Sequence, residues 1–215
     1  MATSAPKKEE VLRYLGHRNQ QVSDELLARV DQSIARCVQI ARPACVQRTF
    51  LASELPIALP GNDIAAHLSD AAEVLFFAVT LGHGVDQELR RLSYVDPLEQ
   101  VLFDAAATAL VEQEADKIEA NVRLASAERG LYCSWRFSPG YGDLPLGVQP
   151  SFLQVLDATR RLGITLTKSN LMVPTKSVTA LVGIHPTPQQ GLASSCAVCT
   201  LREFCALRTK GLRCK

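Results

Sequence analysis

Asp96-Pro97-Leu98-Glu99 marks the start of a helix more firmly than any other stretch of the chain. Asp96 can cap the free backbone N–H groups, Pro97 has its φ pre-set for the first helical position, and Glu99 can reach back as a capping-box partner. The pattern predicts one long helix from Pro97 to about Ala125, with Leu98, Val101, Leu102, Ala105 and Ala109 forming an apolar stripe at helical spacing. A domain holding such a helix must bury that stripe. Glu112 continues the stripe where an apolar residue is expected. Either a cation meets it there, or the apolar face drifts around the helix and leaves Glu112, Asp116 and Glu119 solvated.

The flanking segments set the fold class. Val11, Leu12 and Leu15, then Leu26, Leu27, Val30, Ile34 and Val38 from Ser23 onward, predict two amphipathic helices at the N-terminal end. Residues 1–8 are expected to be disordered. Short apolar stretches at Cys45-Val46 and Pro56–Leu59, punctuated by prolines, suit strands. Asn62 or Asp63 can cap a brief helix through Leu68, Val74–Leu81 reads as a buried central strand, and a helix follows near Val85–Leu92. Strands are expected at Tyr132–Phe137, Ile164–Leu166 and Val178–Ile184, with a helix from Pro150 to Leu162 ended by Gly163. This irregular interleaving predicts an α+β fold with an antiparallel or mixed sheet packed on the long central helix. After Pro186 the texture changes to a linker and a cysteine-rich tail, so the expected divisions are 1–8, 9–186 and 187–215.

Charge narrows the partners. Twenty-three Lys and Arg stand against 22 Asp and Glu, which leaves no electrostatic footprint for nucleic acid or an anionic membrane. Met1–Glu10 has no apolar run of signal-peptide length, and the most apolar stretch, Ala71–Leu81, is too short to span a bilayer. A cytoplasmic protein is expected.

Arg136-Phe137-Ser138-Pro139-Gly140-Tyr141-Gly142-Asp143 lies where a strand should leave its sheet. Arg136 offers a planar fork suited to a carboxylate, Gly140 allows close backbone approach, and Tyr141 offers a flat ring with a hydroxyl. On composition alone the segment reads first as a strand-ending turn with a solvent-facing arginine. The order of segments along the chain is more telling: Arg136 to Tyr141, an amphipathic helix, then Gly163 to Ser169 and Met172 to Val178. That arrangement resembles the reactivation domain of cobalamin-dependent methionine synthase, closely over Arg136 to Ile184 and more loosely over the long helix and Tyr14-Leu15-Gly16.

The resemblance implies a helmet-shaped α+β fold and an accessory role in the reductive methylation of a cobalamin that has lost its methyl group. The implied S-adenosylmethionine contacts are Glu112, Arg136, Pro139, Gly140 and Tyr141, with Tyr141 at the reacting face as part of a methyltransferase system. Cobalamin would arrive on a separate corrinoid-binding methyltransferase protein, since 215 residues cannot also hold its module. An electron-donor protein would complete the set. The chain departs from the family at Gly142–Leu146 and after Pro186.

Four of the seven cysteines fall in the last twenty residues, as Cys196-x2-Cys199-x5-Cys205-x8-Cys214. Four sulfur ligands suit tetrahedral zinc or an iron-sulfur cluster, and the spacing does not separate these. The rival reading is therefore a metal-bearing electron-transfer or interaction module for a corrinoid protein, without methyl-donor binding. Cys37, Cys45 and Cys133 are isolated and expected to pack as small hydrophobes, and the four histidines lack ligand spacing. Metal analysis of anaerobically purified protein is expected to find stoichiometric zinc or iron, released by any one Cys→Ser change in the tail. Metal-free protein would show that the tail is not a metal site.

Overall fold

The computed structural model describes residues 4–18 and 20–188. Within them the helices are α1 (Lys8–Tyr14), α2 (Asp24–Ile40), α3 (Asn62–His67), α4 (His83–Val95), α5 (Pro97–Glu128), α6 (Gln149–Leu156) and α7 (Ala158–Leu162). The strands are β1 (Ala44–Leu51), β2 (Glu73–Thr80), β3 (Tyr132–Cys133), β4 (Thr165–Leu166), β5 (Met172–Val173) and β6 (Ser177–His185). The main sheet has the order β1-β2-β6-β3, and all its pairs are antiparallel. This is the expected α+β class, with the sheet antiparallel rather than mixed.

The unbroken apolar run of β2 follows from its position. It pairs with β1 from Ala44↔Thr80 to Leu51↔Glu73 and with β6 from Glu73↔Ile184 to Thr80↔Ser177. Both its faces are covered. Leu75, Phe77 and Val79 join the core beneath α5, with Phe103, Leu110 and Ala180, whereas Val74, Phe76 and Ala78 join a second core with Ile64, Phe152 and Leu181. Helices therefore lie on both sides of the sheet, and β2 tolerates no polar face.

The long helix begins where its cap predicts. The Asp96 carboxylate accepts hydrogen bonds from the backbone N–H groups of Leu98 and Glu99, each at 3.1 Å. Glu99 does not reach back. It accepts instead from Arg29 Nε at 2.6 Å and Ser33 Oγ at 2.9 Å, while Arg29 Nη2 donates to Asp96 at 2.8 Å, which bolts the helix start to α2. At 32 residues α5 is about 48 Å long, and its alanines at 105, 106, 107, 109 and 115 let it lie close on the sheet. Leu102, Ala105 and Ala109 of the expected stripe are buried, but Leu98 and Val101 are exposed.

Other elements differ from expectation for local reasons. Pro56–Leu59 forms no strand, since Pro56 and Pro60 lack ladder donors. Asp157, at φ 52°, breaks the expected helix between Pro150 and Leu162 into α6 and α7. Leu166 belongs with Thr165 to a separate hairpin with β5 rather than to the main sheet. Helix α1 begins at Lys8, and Gln113 Nε2 donates to the Ser4 carbonyl at 2.8 Å, so the described part of the N-terminal segment lies along α5. Cys37 is buried, with its thiol pushed up to about 12 by desolvation, whereas Cys45 is exposed on β1 rather than packed. No helix among the described residues is long and apolar enough to cross a membrane.

Two of the four histidines, His67 and His185, are buried. His67 Nε2 and Ser134 Oγ are 3.0 Å apart, and Gly183 N–H donates to the same Oγ at 2.9 Å. Gly183 cannot be anything larger, because a Cβ there would stand 2.6 Å from His185 Nε2. Burial pushes His67 down to about 4 and lowers His185 as well, so both rings are neutral near pH 7.

The unfolded chain binds a proton at His67 near pH 6.5 and the folded chain only near 4, so this stabilisation is complete above 6.5 and lost on acidification toward 4. The shift corresponds to about 3 kcal/mol. Glu88, held down to about 2 by its hydrogen bond from Arg91 despite burial, and by Arg36, loses its contribution only at lower pH. Denaturant melts taken from about pH 7 to about pH 4.5 are expected to show falling stability, and a flat profile would contradict neutral burial of the pair.

Candidate functional site

The ladder between β3 and β6 ends early. After Tyr132↔His185 and Cys133↔Ile184, main-chain pairing continues only through Ser134 N–H to the Gly183 carbonyl at 2.9 Å and the bridge Phe137↔Leu181. The expected strand through Phe137 is thus mostly an edge crossing, and Ser177–Thr179 run on with no further partner on that side among the described residues. Beyond this open edge lies a groove of about 1160 Å³. Its walls are one face of α5, residues of the Pro6–Tyr14 segment, the Trp135–Leu146 segment and the start of β6. The volume exceeds what a nucleoside-sized ligand requires.

Arg136 joins the segment to the helix. Its Nη2 donates to Glu112 Oε2 at 2.6 Å, and its Nη1 donates to Asp116 Oδ1 at 2.6 Å and to Glu119 Oε2 at 3.1 Å. The three carboxylates follow helical spacing, i, i+4 and i+7, so one face of α5 presents all of them to one guanidinium. Burial alone would lower the Arg136 pKa, but the hydrogen bond to Asp116 and the charges of Glu112, Asp116 and Glu119 together raise it. Arg123 Nη2 adds a second cation on Glu119 at 2.6 Å. Three carboxylates against two guanidinium groups leave this cluster with one negative charge in excess.

The expected contacts Glu112 and Arg136 therefore meet each other first. The cation required by Glu112 is supplied by the chain itself, and the Arg136 fork is not held open. Its Nε–H and one Nη2–H make no hydrogen bond among the described residues, which leaves two donors of the fork for a ligand.

Pro139 and Tyr141 also line the groove, and the loop carrying them is tightly tied. Gly140 N–H donates to the Leu144 carbonyl at 2.9 Å, and Tyr141 N–H donates to the Ser138 carbonyl at 3.0 Å. Gly140 and Gly142 take φ values of 93° and 51°, a region that other residues enter at a cost. The Asp143 carboxylate accepts from the N–H groups of Asn62 and Asp63, at 2.5 and 3.0 Å, while Asp143 N–H donates back to Asp63 Oδ2 at 3.2 Å. The cap of α3 is thus Asp143, eighty positions away, and neither Asn62 nor Asp63 fills that role. Tyr141 is 61% exposed with its ring edge-on to Phe137 at 6.5 Å, so its face is free to meet a ligand.

Sequence reasoning missed three other residues of the groove. Tyr14 stands across from Glu112 beneath the Arg13 guanidinium, 4.7 Å from its ring centre, and burial with the Glu112 charge pushes its hydroxyl up. Gln149 is buried, donates from Nε2 to Thr179 Oγ1 at 2.7 Å, and leaves its Oε1 without a partner. Trp135 lines the same groove with its indole N–H unpaired. Asp116 and Glu119 were legible from helical spacing, whereas Asp143 and Gln149 carry no local signal. Cys196, Cys199, Cys205 and Cys214 lie outside the described residues. Among the described residues no group of three or more His, Cys, Asp or Glu could hold a metal ion.

Residues 62–193, more than half of the chain, match the family described as vitamin B12 dependent methionine synthase, activation domain. The fold is similar to a solved structure, "Crystal Structure of the MetH Reactivation Domain bound to AdoHcy", with a TM-score of 0.60 and 16% identity over 96% of this chain and 83% of that one. At that identity the likeness concerns the fold alone. No curated protein matches the sequence.

A Cβ on Gly142 would collide with Asp63 Oδ2 as well as forcing the backbone at φ 51°. Gly142→Ala is expected to release the Asp63–Asp143 clasp and cost on the order of 1–3 kcal/mol in a denaturant melt. A melt unchanged from the wild type would show that the loop is not held by this clasp.

Proposed function

This chain belongs to the family of vitamin B12-dependent methionine synthase activation domains, and on that premise we propose that it binds S-adenosylmethionine in the groove beside α5 and presents it to a corrinoid protein. The observation that carries the reading is the Arg136 cluster. A ligand with one carboxylate, one ammonium and one sulfonium needs a guanidinium donor beside an excess of negative charge. The groove offers two unused Arg136 N–H groups within a row of three carboxylates.

Each element of the site has a task in this reading. Arg136 holds the amino-acid carboxylate by a charge-assisted bond, and Glu112 with its neighbours on α5 faces the cationic end. Tyr141, on the exposed side of a loop fixed by Asp143, flanks the transferable methyl, with the buried Pro139 beside it in the groove lining. The AdoHcy bound to the similar reactivation domain is the demethylated form of this donor and supports the assignment. Cobalamin, carried by a partner protein, supplies the metal that accepts the methyl group. The chain itself contributes positioning, which is worth most when the reacting groups are held near contact distance before the reaction.

Removing Arg136 entirely leaves three carboxylates facing one another, so Arg136→Ala should cost stability as well as ligand. After discounting for the exposure of Glu112 and Asp116, the stability loss is on the order of 1–2 kcal/mol. Arg136→Lys keeps the charge and loses the fork. In calorimetry it is expected to fold and to bind S-adenosylmethionine about ten- to a hundredfold more weakly than the wild type, as the loss of a charge-assisted hydrogen bond implies. Glu112→Gln should weaken the sulfonium donor more than AdoHcy, which lacks that charge. Equal losses across the two ligands, or unchanged affinity in Arg136→Lys, would make the cluster structural.

A further inference from the structure

Away from α5 the groove changes character. Near the start of β6 its lining is Pro139, Leu146, Gln149, Met172, Ser177 and Thr179, none of which carries a formal charge. Gln149 is the first residue of α6 and is 1% exposed. Its Nε2–H donates to Thr179 Oγ1 at 2.7 Å, which holds the amide in the groove wall. The opposite atom, Oε1, is buried and accepts from nothing among the described residues. A buried acceptor is costly to leave unmet, so such an atom in a groove wall implies a donor that arrives with the ligand.

The adjoining strand edge points the same way. Leu181 directs its backbone N–H and carbonyl outward to Phe137, at 2.8 Å each. Along an antiparallel strand that direction recurs at every second residue, so Thr179 also directs its backbone groups outward, past the bridge to Phe137. A neutral amide acceptor, an open strand edge and aliphatic walls suit a planar, uncharged heterocycle bearing an amine. An ammonium would go instead to the acidic row.

Resting on the methyl-donor reading above, we propose that Gln149 is a specificity residue, whose Oε1 accepts a hydrogen bond from the 6-amino group of the ligand's adenine. Thr179 is its positioning residue. With Thr179 Oγ1 accepting from Nε2, Oε1 is the amide atom left to meet the base. A 6-oxo base would set an acceptor against an acceptor, and the site would reject it.

Calorimetry with AdoHcy and its inosine counterpart, S-inosylhomocysteine, tests this on the wild type, Gln149→Met and Thr179→Val. The wild type is expected to prefer the adenosine ligand by about tenfold or more. Gln149→Met removes the acceptor and Thr179→Val frees the amide, and each is expected to bring the ratio within about threefold, mainly by weakening AdoHcy. Thr179→Val is isosteric in a strand, so it serves even where Gln149→Met does not fold. Equal affinity of the wild type for the two ligands overturns the proposal, as does a preference retained in either folded variant. Binding of neither ligand to the wild type is a different result: it overturns the methyl-donor reading itself, and this inference with it.

Discussion

Arg136 stands where the sheet ends and the long helix passes, and the geometry of the groove depends on that junction. Three carboxylates at successive turns of α5 would repel one another and push the Trp135–Leu146 segment away. One half-buried guanidinium draws all three together and anchors that segment to the helix. Such a cluster is a poor source of stability, since desolvation offsets much of the Coulombic gain. Its value is preorganisation: charged groups are fixed in place before a ligand arrives, and an excess negative charge remains on the helix face.

That junction is possible because the fold stops pairing its sheet at the right place. β2 and β6 are covered on both faces and pair along their full lengths, which makes the scaffold rigid. β3 follows for only two residues before Trp135 packs on His67 and Phe137 and Arg136 turns to α5. The free end of β6 and the start of α6 then form an uncharged wall opposite the charged one. A polar, zwitterionic group and an uncharged ring can thus be received at the two sides of one groove.

Much of the scaffold was legible in the residues. The Asp96 cap and Pro97 set the start of α5, and the continuous apolar run set β2 to within one residue, because in both cases the signal and its physical cause are local. The order of Arg136, Pro139, Gly140 and Tyr141 pointed to the groove, and all but Gly140 line it. What was not legible depends on contacts between distant segments. Asp143 caps a helix eighty positions earlier, and Gln149 becomes a groove residue only because Thr179 meets it across the sheet edge. The break at Asp157 had no glycine or proline to announce it, and the shortening of β3 reflects where two side chains find partners rather than any weakness in strand propensity.

If the groove between α5, the Arg136–Tyr141 loop and β6 is the nucleoside site, a ligand entering it must perturb its walls and leave the far side of the domain alone. An amide ¹H–¹⁵N correlation spectrum, recorded while AdoHcy is titrated into the folded chain, reads this out residue by residue, and the single tryptophan gives one indole resonance from the groove wall. Saturable shifts are expected for the Trp135 indole and for the amides of Arg136–Tyr141, Glu112–Glu119 and Thr179, with α2 and α4 unmoved. An unchanged spectrum at millimolar ligand, or shifts confined to α2 and α4, would contradict the assignment of the site.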